Sequence, residues 1–184
     1  MNLLVKRALD HAALWHRDQK RKYPGVEVPY VSHPAGVALL LAQHGFAAEV
    51  IAAGALHDVL EDCAVTFEEL ERLFGKRVAE LVRAVSEPDK ALPWEERKAR
   101  YLERFAAEPW EAQAIGIADK IDNFQSILVS AAVSGAAATW GMFRRDRAAQ
   151  MERFEAMAKV VSRLPPHSLI CAFEESLSAV RALG

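Results

Sequence analysis

Four side chains with the chemistry of metal ligands or acid-base groups fall within one short segment, residues 55–62 (ALHDVLED). They are His57, Asp58, Glu61 and Asp62, and no lysine or arginine lies among them. In a helix of about 3.6 residues per turn, His57 would lie over Glu61 and Asp58 over Asp62, so all four would share one face. A solvated helix face normally mixes in cations that pair with such carboxylates. The cluster therefore predicts a bound metal ion.

Two residues elsewhere in the chain could complete this metal site. His33 lies where a predicted loop enters a helix, and Asp119 lies on a predicted amphipathic helix. With His57 and Asp58 they form a set of nitrogen and oxygen donors without sulfur. Such a set disfavours a structural zinc site and suits Mn²⁺, Fe²⁺ or Mg²⁺-type chemistry with positions open for water. The spacing of the four residues does not by itself establish that they meet.

The elements that must position these residues are all predicted to be helices. Apolar residues recur at helical spacing, and no segment alternates convincingly with a period of two. Ser32 and Thr66 are expected to cap two of the helices, and the Pro165-Pro166 pair is expected to end another. We predict an all-α fold of roughly nine or ten helices. The main ones are expected at about residues 3–17, 33–43, 47–60, 66–74, 77–86, 94–108, 111–129, 139–164 and 167–182.

The composition is that of an ordinary globular protein. The chain has 184 residues, of which 52% are hydrophobic and 26% charged, so we expect one folded domain, residues 1–184. With a net charge of -2, the chain is not expected to have the strongly basic surface that nucleic-acid binding requires. Cys63 and Cys171 are too few for a disulfide framework or a cysteine zinc site, and we expect reduced thiols in a cytoplasmic protein.

Neither a secretory signal nor a membrane anchor is expected from this sequence. Lys6 and Arg7 interrupt the first apolar residues too early for a signal peptide. Residues 126–143 form an 18-residue segment without charge, which is near the lower limit for a membrane span. Because this segment is built mainly from Ala, Ser and Gly, we interpret it as closely packed helix and turn.

The candidate ligands, with the sequence around them, resemble a known family. His33, His57-Asp58 and Asp119, in this order, resemble the HD-domain metal-dependent phosphohydrolases. The surrounding blocks are similar to the hydrolase domain of the RelA/SpoT proteins, and the length is similar to that of the small stand-alone alarmone hydrolases. The resemblance covers about residues 8–164. The blocks that carry it are Arg21-Lys22, 29–34 (PYVSHP), 55–62 (ALHDVLED), 89–93 (DKALP), 96–98 (ERK) and 117–123 (IADKIDN).

The resemblance implies an HD-domain helical bundle with a specific activity. This is a Mn²⁺-dependent 3′-pyrophosphohydrolase that converts the guanine nucleotide (p)ppGpp to GDP or GTP and pyrophosphate, without synthesising it. The 3′ position of attack rests on the resemblance alone. By the same match, one Mn²⁺ would be held by His33, His57, Asp58 and Asp119, the catalytic pair would be Glu61 and Asp62, and the substrate would contact Arg21, Lys22, Asn123, Lys90, Arg97 and Lys98. For the last three, exposed surface charges are the simpler interpretation.

Three departures from the family pattern leave the substrate open. Gln125 replaces an arginine that often follows the metal aspartate, Cys63 replaces a threonine, and Arg153 replaces a tyrosine of the animal relatives. All three concern the substrate pocket more than the metal. One alternative is therefore an HD phosphohydrolase that acts on another nucleotide, such as NADPH or a nucleoside phosphate. A sensor module without turnover is a second alternative, which the complete set of candidate catalytic residues disfavours.

Overall fold

The computed structural model describes residues 2–87 and 93–183, without the side chain of Trp94. Within these residues the regular structure is helical, apart from an isolated antiparallel bridge between Lys20 and Pro29. The all-α prediction is confirmed. The described helices are α1 (Leu3–Trp15), α2 (Ser32–Gln43), α3 (Ala48–Ala55), α4 (Val59–Asp62), α5 (Phe67–Phe74), α6 (Lys76–Val85), α7 (Trp94–Ala107), α8 (Trp110–Ser134), α9 (Ala136–Trp140), α10 (Arg147–Val161) and α11 (Ser168–Arg181).

The continuous helix expected over residues 47–60 is wrong, because it is broken at the candidate metal ligands. Helix α3 ends at Ala55, and the four-residue α4 begins at Val59. Between them, Nδ1 of His57 lies 2.8 Å from the carbonyl oxygen of Gly54. In an unbroken helix that carbonyl would accept the amide of Asp58. A side chain that competes for a helical carbonyl favours a turn at this point.

The long helix expected over residues 139–164 is also wrong. Helix α9 ends at Trp140, and α10 begins after Asp146, whose carboxylate accepts a 2.9 Å hydrogen bond from the amide of Ala149. An aspartate in this position is a strong start signal for a helix. The uncharged residues 126–143 are divided between α8, α9 and the turn that follows, and no helix in the described ranges is long and apolar enough to cross a membrane.

Helix α8 is the centre of the fold and determines where the polar side chains lie. It packs against α2, α3, α6, α7, α9 and α11. Ile117, Ile121 and Phe124 on α8 are fully buried, as expected. Each such side chain contributes roughly 1.5–3 kcal/mol on leaving water. Because these residues fix the rotation of α8, Asp119 and Asn123 fall on a different part of its surface, toward α2 and the α3–α4 turn.

Candidate active site

The four predicted metal ligands lie together where α2, the α3–α4 turn and α8 meet. Nε2 of His33 lies 3.6 Å from Oδ2 of Asp58 and 3.2 Å from Oδ1 of Asp119. Nε2 of His57 lies 3.1 Å from Oδ2 of Asp58 and 3.9 Å from Oδ1 of Asp119. The tertiary structure thus supplies the proximity that the spacing in the sequence could not establish.

The arrangement of these donor atoms fits a divalent cation. One donor atom from each of His33, His57 and Asp58 lies within 4.8 Å of the other two. Nε2 of His57 is buried, and although it lies 3.1 Å from Oδ2 of Asp58, it has no partner within the described residues at the angles that a hydrogen bond requires. An unsatisfied buried nitrogen is costly unless a ligand binds it. Since Nδ1 of this ring faces the carbonyl of Gly54, Nε2 is the atom left for a metal.

Asp122 orients His33, and the sequence analysis did not identify this role. Nδ1 of His33 lies 2.5 Å from Oδ2 of Asp122, so that Nε2 faces the centre of the site. Gly36, on the next turn of α2, makes room for this carboxylate, because a Cβ atom added there would collide with Oδ1 of Asp122. The signal in the sequence was the spacing of three between Asp119 and Asp122, which places both on one side of a helix.

The electrostatics of the cluster keep its carboxylates ionised. Burial lowers the pKa of His57, but the carboxylates of Asp58 and Asp119 outweigh burial and raise it to about 9. Burial alone would raise the pKa of Asp58 and of Asp119, but neighbouring positive charges outweigh it at both residues. For Asp58, the neighbouring His57 and His33 outweigh burial and lower the pKa. For Asp119, the ion pair with Lys120 and the contact with His33 hold the pKa well below its usual value.

Glu61 and Asp62, the predicted catalytic pair, lie beside this cluster on α4. Burial raises the pKa of Glu61 to about 7, although the amide of Glu87 donates a 2.7 Å hydrogen bond to its Oε1. A carboxyl group with this pKa can give or take a proton near neutral pH. Oδ2 of Asp62 accepts a 3.0 Å hydrogen bond from Nε2 of Gln19. Gln19 was also absent from the sequence-based predictions.

The cluster forms one end of a cleft that is large enough for a nucleotide. A cavity of about 350 Å³ contains the His-Asp group, and a larger one of about 1040 Å³ adjoins it. Cavities of this size are typical of small-molecule sites. Cationic side chains line the cleft beyond the acidic cluster. Residues that line both cavities are Arg21, Lys22, Tyr30, Glu61, Asp62, Glu87, Lys98, Asn123 and Arg153.

Arg21, Lys22 and Asn123, which were predicted to contact substrate, therefore all reach the cleft. The guanidinium group of Arg21 donates to Oγ of Ser126 at 2.8 Å and to Oδ1 of Asn123 at 3.3 Å. Nδ2 of Asn123 donates to Oδ1 of Asp119 at 2.5 Å, one helical turn away. Asn123 therefore links the candidate metal ligand Asp119 to the cationic part of the cleft.

Arg97 and Lys98, two further substrate candidates, are held at the cleft by one carboxylate. Nε of Arg97 lies 3.1 Å from Oε2 of Glu87, and Lys98 forms an ion pair with Oε1 of the same residue. Their side chains are only 23% and 21% exposed, so they are not simple surface charges. Burial lowers the pKa of Lys98. Lys90, the third candidate of this group, lies outside the described residues.

Comparison with known proteins supports the assignment that this geometry suggests. Residues 8–140 match the family model described as HD domain. This chain belongs to the HD-domain family. A guanosine-3′,5′-bis(diphosphate) 3′-pyrophosphohydrolase of Drosophila melanogaster is 39% identical over 141 residues, which are 76% of this chain and 75% of the relative. The bifunctional (p)ppGpp synthase/hydrolase SpoT of Escherichia coli is 33% identical over 155 residues, 80% of this chain but only 20% of that protein.

A solved structure extends the likeness of this HD-domain protein to the whole fold. It is described as a metazoan ortholog of SpoT that hydrolyzes ppGpp and plays a role in starvation responses. The two structures superpose with a TM-score of 0.81 at 32% identity, and the match covers 100% of this chain and 98% of the other. The resemblance to RelA/SpoT-type hydrolases and the HD-domain fold are therefore both confirmed.

Of the residues in which this HD-domain protein departs from the family pattern, Arg153 lies in the cleft. It lines both adjoining cavities, and its guanidinium carbon is 5.7 Å from the centre of the Phe154 ring. Gln125 is exposed and is not among the residues that line these cavities. Cys63 contacts His16 and the carbonyl of Trp15, behind the cleft. Only Arg153 is thus in a position to alter substrate contacts directly.

Proposed function

We propose that this chain is a divalent-metal-dependent (p)ppGpp 3′-pyrophosphohydrolase, which releases pyrophosphate and leaves GDP or GTP. The observation that carries the proposal is the cleft itself. It joins a metal-type His-Asp cluster, an acid-base pair and a group of cations in two adjoining cavities. The named activities of the relatives agree with this chemistry.

We propose that the metal is one Mn²⁺ ion held by His33, His57, Asp58 and Asp119. Mixed nitrogen and oxygen donors without sulfur suit this ion. A bound divalent cation lowers the pKa of water and offsets the charge of a phosphate group. The chain's own part is to hold the four donors together and to keep the two carboxylates ionised. Fe²⁺ or Mg²⁺ in the same site would change the cofactor but not the residues that hold it.

Glu61 and Asp62 would move the protons of the reaction. Water attacks the phosphorus atom bonded to the 3′ oxygen, the bond between them breaks, and the departing oxygen needs a proton. Glu61 has a pKa of about 7, so it is suited to accept a proton from water and to donate one to this oxygen. Asp62, held by Gln19, would orient the water.

The cationic part of the cleft would bind the nucleotide. By the resemblance to RelA/SpoT-type hydrolases, Arg21 and Lys22 would contact the nucleotide, and Asn123, one turn beyond Asp119, would face the ribose. Arg97 and Lys98, together with Lys90, would hold the pyrophosphate. For this, Arg97 and Lys98 must exchange the carboxylate of Glu87 for phosphate oxygens, which accept the same kind of charge-assisted hydrogen bond.

A second candidate function is hydrolysis of another nucleotide, such as NADPH, by the same chemistry. The observation that favours it is Arg153, which places an additional cation in the cleft where relatives carry an aromatic residue. An arginine there can bind an additional phosphate group through two hydrogen bonds, which an aromatic residue cannot do. The metal site and the acid-base pair would serve both substrates.

We also propose that residues 1–184 form a single domain that works in the cytoplasm on a small molecule, without a nucleic-acid or membrane partner. Support comes from one connected hydrophobic core that extends from Ala8 in α1 to Val180 in α11. Limited proteolysis of the metal-loaded protein tests the domain assignment, since a single domain resists cleavage as one unit.

A product assay tests the proposed function. Metal-free protein is incubated with Mn²⁺ and ppGpp, and GDP and pyrophosphate are followed by chromatography. Both products are expected with metal and not with the Glu61→Ala/Asp62→Ala double variant. Turnover of NADPH or another nucleotide, with ppGpp left intact, would transfer the proposal to the second candidate. Failure with every nucleotide tested, despite binding of Mn²⁺, would refute hydrolysis and favour a sensor.

A further inference from the structure

Three residues outside the proposed catalytic set, His16, Gln19 and Tyr30, form a polar cluster beside the site, here called the support cluster. Gln19 and Tyr30 also line the cleft, whereas His16 does not. Nε2 of Gln19 donates to Oδ2 of Asp62 at 3.0 Å, and Oε1 of Gln19 lies 2.7 Å from Nδ1 of His16. A carboxylate only accepts hydrogen bonds, so the amide nitrogen of Gln19 must face Asp62. The amide oxygen then faces His16, and Nδ1 of His16 must carry the hydrogen.

Tyr30 makes the second connection from the support cluster to the active site. Its hydroxyl group donates to Oδ2 of Asp58 at 2.5 Å. Its ring lies against the ring of His16, with a distance of 4.9 Å between the ring centres. His16 therefore touches both connections: it binds Gln19 through a hydrogen bond, and it supports Tyr30 through ring packing.

The backbone ties these two connections together. His16 is 2% exposed and follows the last residue of α1, where its amide donates to the carbonyl of Ala12 at 3.0 Å. The amide of Gln19 donates to the carbonyl of His16 at 2.9 Å, and the amide of Tyr30 donates to the carbonyl of Gln19 at 3.0 Å. Of the three residues only His16 is fully buried, and these backbone hydrogen bonds fix the positions of the half-buried Gln19 and Tyr30 relative to it.

We propose that the support cluster is a positioning unit that fixes the Asp62 carboxylate relative to the Asp58 carboxylate. The inference deepens the proposed function and rests on it. Asp62 is exposed and lies at the end of a four-residue helix, so the helix alone holds it weakly. Two groups that serve one reaction must keep their geometry, since a displacement of about 1 Å costs on the order of 10²-fold in rate. The three residues act through Asp58 and Asp62 and do not touch the reacting atoms.

The first test measures metal affinity, which requires no substrate. Mn²⁺ binding is measured by calorimetry for the wild type and for Tyr30→Phe, which keeps the ring and removes only the hydroxyl group. We expect about tenfold weaker binding, because groups that orient a metal ligand affect affinity by roughly 10–100-fold. Binding equal to that of the wild type would overturn the role of Tyr30. No binding of Mn²⁺ by the wild type would instead refute the metal in the proposed function, and with it the inference.

The second test measures turnover of whichever nucleotide the wild type hydrolyses. Gln19→Met keeps the length of the side chain without its hydrogen bonds, and His16→Phe keeps the ring that packs on Tyr30. Each is expected to lower kcat about tenfold with KM unchanged, because only the position of Asp62 is disturbed. The double variant is expected to lose no more than the worse single variant, since the two residues act in series.

The matched control is His11→Phe, the same substitution at a residue of α1, the helix that His16 follows. Nδ1 of His11 contacts the carbonyl of Arg7, and its ring packs against Trp15 and Phe74, away from the cleft. The kcat of the His11→Phe variant is expected to equal that of the wild type. Melting temperatures distinguish a variant that is unfolded from one that is folded but has a displaced Asp62. If His16→Phe proves unstable, the test rests on Gln19→Met alone. Wild-type kcat in folded Gln19→Met, or a raised KM with unchanged kcat, would overturn the inference.

Discussion

The imidazole of His33 is held by the carboxylate of Asp122, with 2.5 Å between Nδ1 and Oδ2. This contact joins α2 to α8 and fixes which ring nitrogen of His33 faces the candidate metal site. A carboxylate behind a metal-binding histidine also makes the ligand nitrogen more basic. Asp122 is in turn 3.4 Å from the guanidinium group of Arg21, so the same carboxylate connects the metal site to the nucleotide cleft.

Replacement of Asp122 by alanine should weaken metal binding without removing a proposed ligand. We expect Mn²⁺ affinity to fall about 10–100-fold, because His33 loses the group that orients it. Calorimetric titration of the metal-free protein checks this. Asp146→Ala is a suitable control, because Asp146 caps α10 away from the metal cluster. Equal Mn²⁺ affinities in the wild type and Asp122→Ala would contradict the prediction.

Gly36→Ala should also weaken metal binding, in this case by displacing the carboxylate of Asp122 and not by removing it. The added methyl group would collide with Oδ1 of Asp122 and push this carboxylate away from His33. Alanine otherwise favours a helix over glycine by about 1 kcal/mol, so loss of helix propensity cannot explain a loss of metal affinity. We expect weaker Mn²⁺ binding in the same titration. Gly141→Ala is the control, because a Cβ atom there meets only ordinary contacts, at 3.4 Å and beyond.

Glu61 should make the stability of the metal-free protein depend on pH. Its pKa is raised from 4.5 to about 7 in the folded state, so between these values the folded state holds a proton that the unfolded state has lost. The contribution of Glu61 to stability therefore falls as pH rises through this window. We expect Glu61→Gln to match the wild type near pH 4 and to exceed its free energy of unfolding by roughly 3 kcal/mol near pH 8.

Urea unfolding in the presence of a chelator, at both pH values, measures this difference. The comparison with glutamine cancels the other titrating groups, since they are common to both proteins. A difference between the two proteins that stays constant with pH would show that Glu61 titrates normally and would remove the basis for its role as an acid-base group near neutral pH.

Glu87→Gln should strengthen substrate binding. The carboxylate of Glu87 pairs with Arg97 and Lys98, and it competes with phosphate for both cations. Its removal should lower KM about threefold, in keeping with the modest free energy of partly exposed ion pairs, while kcat is unchanged. Steady-state kinetics provide the check, with Glu96→Gln as a control, because Glu96 pairs with Arg100 on the exposed side of α7. A raised KM would mean that Arg97 and Lys98 need Glu87 to reach the substrate.

The sequence predicted the local features of this protein well. Apolar spacing located most of the helices, and the capping pattern at Thr66 is confirmed, since its Oγ1 accepts a hydrogen bond from the amide of Glu69 at 3.2 Å. The cap expected from Ser32 is wrong, because its hydroxyl group donates to the carbonyl of Pro29. Helical periodicity and caps depend on neighbours within a few residues, and this explains why they can be read from the chain.

The proximity of the proposed metal ligands, and the contacts that orient them, depended on tertiary packing. His33, His57 and Asp119 could be chosen by residue type, but they meet because burial of residues such as Ile117 and Phe124 fixes the rotation of α8 against α2 and α3. The roles of Asp122, Gly36 and Gln19 depend on side chains from distant segments, so no local pattern contains them. The break in the helix at His57 and the geometry of the site have one cause. Nδ1 of His57 contacts the carbonyl oxygen of Gly54, and this contact turns Nε2 of the same ring toward the metal cluster.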